Sequence, residues 1–398
     1  MRRLSISKIT LLAVVGTLAA PVAARAGGAA GSGGEDFVDQ ARLFHRVVAC
    51  GSDTAVPKGF DAKVVREHCR ALRRQMRYFR EHHAKRVQRF MAKWRPNDLP
   101  HTVVYPFGGG DLITALLTYP NATDITTISL EHPGDPRRLH GMSSDDLAAN
   151  LALYNLVAGE LIRNRDSSSK NMRLMERGPI PGQLGLFMLA LAIMDYEPVS
   201  LRFFRIEPDG SLHYYTGQEI EALDHTQAEK LEERWINTDY SVAFQNSELA
   251  FRRRGAGPED PIIIHRHIAW NLDNEHFGGS PLEKYLDKKG KVASMTKAAS
   301  YLLWTGNFSA IRDYMLENSV WMVSDATGPL PNDAAKFGFE QITFGTFTDA
   351  YLEWSRGKRS DRMRELWESQ KKRNLTFRYG YPDAAGNVHL MITRPRKK

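Results

Sequence analysis

Cys50 and Cys69 are the only cysteines in this 398-residue chain. So few exclude a disulfide-framed miniature scaffold and a zinc centre built on three or four cysteines. No Gly-x-Ser-x-Gly sequence occurs, which removes the strained serine elbow as a source of a nucleophile. The glycine loop Gly108-Gly109-Gly110 has Ile113 where a dinucleotide-binding fingerprint needs its third glycine. Beyond residue 26 no apolar run is long enough to cross a bilayer as a helix.

What is present starts at the first residues. Arg2, Arg3 and Lys8 precede an apolar run from Ile9 to about Ala23, followed by Ala24-Arg25-Ala26. A basic start, a run too short to span a bilayer and small residues for a peptidase pocket predict a signal peptide over residues 1–26. The mature protein is then expected outside the cytoplasm, periplasmic or extracellular, with a flexible Gly/Ala/Ser linker over 27–34 and no transmembrane helix. In that oxidising setting Cys50 and Cys69 read as one disulfide, worth roughly 3 kcal/mol for so short a loop. Two buried free thiols are the alternative.

Hydrophobic residues make up 42% of the chain, enough for a buried core. Losing Arg2, Arg3, Lys8 and Arg25 lowers the net charge from +8 to +4. The remaining basicity is local: twelve Lys and Arg lie between Lys63 and Arg95, against Glu67 and Glu81.

Periodicity orders the rest. Phe37, Ala41, Phe44 and Val48 share one face of a helix expected over 35–49. Val65, Cys69, Leu72, Met76, Phe79, Phe90 and Trp94 mark a second over about 61–94, so residues 35–100 form a helical N-terminal segment. From His101 the pattern alternates: strand 101–105, a glycine turn, helix 112–118 and strand 124–130, a βαβ unit. Helices are expected from Ser143 or Ser144 to about Ile162 and over 183–194. A strand over 199–206 turns at Glu207-Pro-Asp-Gly210 into 211–216. A helix at 226–235 and strands at 240–244, 248–252 and 261–270 follow. A helical stretch over 281–320, broken near Gly290 and Gly306, precedes short strands at 341–346 and 375–379 and a helix at 361–370. The fold class is α/β: one domain over 101–398, a mixed sheet with helices on both faces and a Rossmann-like βαβ start.

Ligands of open α/β sheets bind at the carboxyl ends of strands. Asp111, Glu131 and His132 are therefore the candidate acid/base residues, and Gly108, Gly109, Gly110, Asp111 and Glu131 the candidate ligand-binding positions. Glu131 falls about twenty residues beyond the glycines, the place of a ribose-binding carboxylate. Asp111, the expected N-cap, puts a carboxylate where a pyrophosphate needs bare helix N–H groups. The segment resembles the first half of a class I methyltransferase fold, whose cationic sulfonium cofactor tolerates that acid. Such cofactors are kept in the cytoplasm, so no cofactor is expected. The alternative for the glycines is a tight turn that lets helix and strand pack.

Val103-Val-Tyr-Pro-Phe-Gly-Gly-Gly-Asp111, Tyr119-Pro-Asn-Ala122 and Ser129-Leu-Glu131 resemble a group of uncharacterised bacterial exported proteins. These share a Tyr-Pro-Phe, small, Gly, x, Asp loop followed by Leu-Glu-Pro. Lys297-Ala-Ala-Ser-Tyr-Leu-Leu303 and Phe377-Arg-Tyr-Gly-Tyr381 match as well. The resemblance covers most of the mature chain and implies no known activity; the chain departs from it at Gly110 and at His132.

Other constellations are weaker. Ser167-Ser-Ser-Lys170 has the Ser-x-x-Lys spacing of penicillin-recognising enzymes, but the chain offers only Trp304-Thr-Gly306 where those need Lys-Thr-Gly. His265 and His267 on one strand face, with His276 nearby, and the group Glu131, His132, Asp135 and His140 have metal-ligand types without a recognised spacing, so no metal is expected. The basic helix has two readings. Arg70, Arg73, Arg74 and Arg77, with His68, His82 and His83 alongside, dock on an anionic envelope surface, or the face is simply solvated. Nucleic acid is not expected as a partner. The functional expectation is a non-catalytic envelope-associated binding protein, with an extracytoplasmic hydrolase or transferase as the alternative.

Overall fold

Three helices precede the sheet. α1 (Val38–Val47) buries Ala41, Phe44 and Val47. α2 (Ala62–Tyr78) starts at Asp61, whose carboxylate accepts from the N–H groups of Lys63 and Val64. A π-helical turn, Phe79–Ala84, joins it to α3 (Lys85–Trp94). The Cys50–Cys69 disulfide ties the loop after α1 to α2. In this computed structural model the described residues are 33–52, 55–164, 180, 182–224, 241–347, 358–380 and 388–396. The expected signal peptide, most of the linker and the helix expected at 226–235 lie outside them. Residues 33–398 form one compact unit.

The βαβ unit is present: β1 (Thr102–Pro106), α4 (Leu112–Thr118) and β2 (Asp124–Ser129). α5 (Ser144–Asn164) and α6 (Gly182–Met194) follow. Next come β3 (Tyr196–Ile206), β4 (Leu212–Tyr214), α7 (Gly217–Leu223), β5 (Asn246–Arg253) and β6 (Ile263–Ala269). α8 (Asn274–Phe277) and α9 (Pro281–Asp287) lead to β7 (Val292–Thr296), α10 (Ser309–Asn318) and β8 (Ser319–Ser324). α11 (Pro331–Lys336), β9 (Phe339–Gly345), α12 (Lys358–Glu368) and β10 (His389–Pro395) complete the unit. Among the described residues no helix is long and apolar enough to cross a membrane.

The ten strands form one mixed sheet in the order β4-β3-β5-β6-β2-β1-β7-β8-β10-β9. β6, β2, β1, β7 and β8 run parallel; β5 and β10 pair antiparallel to the ends of that block. From β1 the chain first builds toward β2 and β6, then returns to the other side of β1 to build β7 and β8. The switch point of the doubly wound block thus lies between β1 and β7.

Side chains alternate across the strands. Val103 and Tyr105 enter one core with α1 to α6, while Val104 enters a second with α8, α9 and α10. α6, Gly-Gln-Leu-Gly-Leu-Phe-Met-Leu-Ala-Leu-Ala-Ile-Met, is apolar all round because it is covered all round. It packs against α4, α5, α1 and β3, while α2 packs on α5 and α3 on α4.

Several expectations are corrected here. The stretch 281–320 is not one broken helical run, because it contains the central strands β7 and β8. Both are buried on both faces, so neither shows the alternation that marks a half-exposed strand. Residues 242–244 form a 3-10 turn and 375–379 are irregular. The C-terminal residues supply β10, which pairs with β8 and β9.

Candidate functional site

Asp111 sits at the carboxyl end of β1 as the N-cap of α4. Its Oδ1 accepts from the N–H and hydroxyl of Thr114 (3.3 and 2.6 Å). Its Oδ2 accepts from Lys297 Nζ at 2.7 Å and from the Tyr105 hydroxyl at 3.2 Å. Lys297 follows β7, so this pair closes the sheet across its switch point. Both charged groups are nearly inaccessible, at 2% and 4% side-chain exposure. Asp325, after β8, extends the group: it accepts from the N–H of Ala298 (3.0 Å) and of Thr327 (2.9 Å). The Lys297 ammonium lies 5.8 Å from the centre of the Tyr379 ring. Burial, together with the Asp111 charge, holds the Tyr105 and Tyr379 hydroxyls well above their ordinary pKa. Both phenols are therefore protonated, and that of Tyr105 donates to Asp111.

The loops are strained where they meet. Phe107 (φ 59°) and Ala298 (φ 59°) occupy the left-handed region without being glycine. That conformation lets the Ala298 N–H reach Asp325. The glycine turn is buried. A Cβ on Gly110 would lie 2.5 Å from Leu186 Cδ1 of α6 and 3.0 Å from Gln183 Oε1. The close approach is made to protein, which supports the turn's role in packing. Asp111 has both carboxylate oxygens committed, leaving none for a proton-transfer task.

A second polar group lies after β2 and on β6. His267 donates through Nε2 to the Glu131 carbonyl (2.8 Å). Its Nδ1 is then an acceptor and takes the Thr127 hydroxyl proton (2.9 Å), so the same oxygen accepts from His265 Nε2 (2.9 Å). Phe187 of α6 covers both rings. Glu131 and His132 are buried at 6% and 7% exposure, and neither His132 ring nitrogen has a hydrogen-bond partner. Burial pulls His132 and His267 down to about 4, and His265 well below its ordinary value.

The three residues expected to act together are thus divided. Asp111 faces β7 through Lys297, whereas His132 neighbours His267 on the β6 side. His276 is apart from the other two histidines, bonded to Asp273 at 2.7 Å, and Asp135 is engaged by Arg137. Among the described residues, Cys50, His68 and Cys69 are the one group of ligand-type side chains close enough to share an ion, and the disulfide uses both sulfurs.

The chain matches no model of a known protein family, and no curated protein and no solved structure matches it.

The N-terminal layer is different in kind. Lys63, Arg66, Arg70, Arg74 and Arg77 step by three and four along the outer side of α2 and are exposed. Arg80, Lys85, Arg86, Arg89 and Lys93 continue the exposed basic series past the π-helical turn. Among the described residues no carboxylate lies within ion-pair distance of Arg66, Arg70, Arg74, Arg77, Arg80 or Arg89. Tyr78 stands among them at 63% exposure.

Other expected members of that face point elsewhere. Arg73 is half-buried and donates to the carbonyls of Cys50 and Ser52 (3.2 and 2.5 Å), clamping the loop after α1. His68 is buried between the Val48 carbonyl and Asn155, and His83 packs on Phe79 and Phe377. Of the three histidines only His82 is exposed. Sequence reading missed Lys297, Tyr105 and Asp325 as site residues; the one signal pointing at Lys297 was its place in a matching motif.

Proposed function

We propose that this is an exported, non-catalytic, envelope-associated protein that docks on an anionic lipid surface through the outer face of α2 and α3. The observation that carries the reading is the row of exposed arginines with no carboxylate partner among the described residues, on a helix whose other side is buried and disulfide-tied. A merely solvated helix gains from acids three or four residues away; here Glu67 and Glu81 face ten exposed basic side chains. Each basic residue near an anionic leaflet contributes about 1 kcal/mol, so five acting together give a useful affinity. Tyr78 adds an amphipathic ring of the kind that settles at headgroup depth. The signal-peptide pattern and the disulfide both favour a compartment outside the cytoplasm, periplasmic or extracellular.

The sheet order supports the architectural resemblance to class I methyltransferase-like folds, with antiparallel β10 inserted between β8 and β9. Membership of the exported family with the Tyr-Pro-Phe loop is part of the same proposal. Fold carries no function with it, and the packed glycine turn and the saturated Asp111 favour a structural role for that loop. A hydrolase or transferase acting there would first have to free Asp111 from Lys297, Tyr105 and Thr114.

Flotation with phosphatidylglycerol-containing vesicles tests the docking. The mature protein is expected to float at low ionic strength and to be released by salt, since exposed charges are screened within about 8 Å at physiological ionic strength. The Arg70→Glu, Arg74→Glu, Arg77→Glu variant should stay behind with an unchanged melting temperature. Absence of flotation of the unmodified protein at low salt sinks the reading.

A further inference from the structure

On the inner side of α2, away from the exposed basic row, three ligand-type residues converge. One ligand atom each from Cys50, His68 and Cys69 lies within 4.8 Å of the others, and all three residues are buried. Two thiolates and an imidazole form a donor set suited to zinc, and their two negative charges cancel those of the ion, so the buried site is neutral. In the oxidised protein each sulfur is bonded to the other, which keeps both from an ion.

What places the sulfurs does not depend on the bond between them. The loop after α1 is fixed at four backbone carbonyls. Val48 accepts from His68 Nε2 (2.7 Å), Cys50 and Ser52 accept from Arg73 (3.2 and 2.5 Å), and Gly51 accepts from Arg254. Cys50 itself is held at φ 56°, a left-handed conformation that a non-glycine residue keeps only where its surroundings impose it. The cysteine Cα atoms are 5.3 Å apart. A tetrahedral zinc ion about 2.3 Å from each sulfur needs the two sulfurs about 3.8 Å apart, which side-chain rotation reaches over that span.

His68 brings a neutral ring, because burial holds its pKa down at about 4. Its nitrogens meet the Val48 carbonyl and the Asn155 amide at 2.7 and 2.8 Å, so the nitrogen that does not take the ion keeps an orienting partner. Asn155 Oδ1 is buried without a partner, so that amide can turn to serve either tautomer. The Arg73 guanidinium at the Cys50 carbonyl favours ionised thiols.

We propose that reduction of the Cys50–Cys69 disulfide turns this spot into a zinc site, with Cys50, His68 and Cys69 as ligands and water in the fourth position. A dithiol reductant breaks the S–S bond and is itself oxidised to a disulfide, passing two electrons and two protons to the cysteine sulfurs. Zinc then displaces both thiol protons to solvent and undergoes no redox change. The ion takes over the tie between the loop and α2, so the helix stays anchored in either redox state. Nothing in this chemistry requires the outer face of α2 to meet a lipid.

Zinc alone is the probe, with cobalt(II) as its coloured stand-in. The mature protein, reduced with dithiothreitol and freed of it anaerobically, should take up one zinc ion per chain with submicromolar affinity and release protons on binding. The oxidised protein should take up none. Cobalt should give the intense absorption of tetrahedral thiolate coordination. Zinc should raise the melting temperature of the reduced protein and leave that of the oxidised protein unchanged, which separates a folded site from thiols captured in the unfolded chain. His68→Gln, checked for folding by the melting temperature of its oxidised form, should weaken binding by more than about tenfold. If that variant does not fold, the His68 ring resonances of the unmodified protein decide, since they must shift with zinc only after reduction. The Arg70→Glu, Arg74→Glu, Arg77→Glu variant should bind zinc as before, whether or not the unmodified protein floats with vesicles. Equal uptake by oxidised and reduced protein, a reduced protein that zinc does not stabilise, His68 resonances indifferent to zinc, or undiminished binding in His68→Gln overturns the assignment.

Discussion

Lys297 and Asp111, 186 positions apart in the chain, meet at 2.7 Å across the switch point of the sheet. Removing one partner strands a buried charge, which costs about 3–5 kcal/mol; removing both costs less. Lys297→Met and Asp111→Leu should therefore each lower stability sharply, with the double variant losing much less than the sum of the two single losses. Urea unfolding of the three variants gives the coupling. Strict additivity would show that the pair does not act as a unit.

Gly110→Ala tests whether the glycine turn packs or serves a ligand. Its Cβ meets Leu186 and Gln183, so about 1–3 kcal/mol of stability should be lost through overpacking. Leu186→Ala, destabilising alone, should recover part of that loss when combined with it. Failure of the pair to couple would remove the packing explanation.

The buried histidines make stability depend on pH. His68, His132 and His267 are pulled down to about 4, chiefly by burial, and His265 lies well below 6.5. In the unfolded chain each takes a proton near pH 6.5. Their contribution is thus complete above that pH and is lost as pH falls toward 4, by up to about 1.4 kcal/mol per pH unit for each ring. Urea midpoints should fall steeply between pH 7 and pH 5. His132→Leu should make the fall shallower and leave stability at pH 7 equal or higher, because neither nitrogen it removes has a partner. Midpoints that stay level from pH 8 to pH 5 contradict this account.

Reduction should cost roughly 3 kcal/mol, from the entropy that the Cys50–Cys69 link removes from the unfolded chain over a separation of 19 residues. The Cys50→Ala, Cys69→Ala variant should melt several degrees lower than the oxidised protein and be indifferent to dithiothreitol. Equal melting temperatures with and without reductant in the unmodified protein would argue that the bond contributes nothing.

The sequence announced the βαβ start because β1 and α4 obey ordinary local rules: a β-rich run, a glycine turn, and Asp111 as cap. It hid β7 and β8 for the opposite reason. Val292-Ala-Ser-Met-Thr296 is covered on both faces and carries small side chains, so neither alternation nor bulk marks it as a strand. The site divides the same way. Asp111, at a turn, could be picked out locally, but its partner Lys297 is placed only by the sheet order. The Arg73 of α2 looked like its neighbours in a basic row, and only the path of the loop after α1 turns it inward. Buried Glu248, held between Arg202 and Arg266, could not be found at all, since each lies on a different strand.

The π-helical turn between α2 and α3 sets a phase. One residue corresponds to about 100° of rotation around a helix. Phe90 meets Phe344 and Phe377, and Trp94 meets Phe344, only because Phe79–Ala84 winds wider than the helices around it. Winding all of these residues as regular α-helix, with none removed, would swing α3 by about a quarter turn. Phe90 and Trp94 would leave their aromatic seat, and Arg86 and Arg89 would no longer lie in line with Arg74 and Arg77. The continuity of the cationic face across two helices is thus an indexing decision made by one surplus residue.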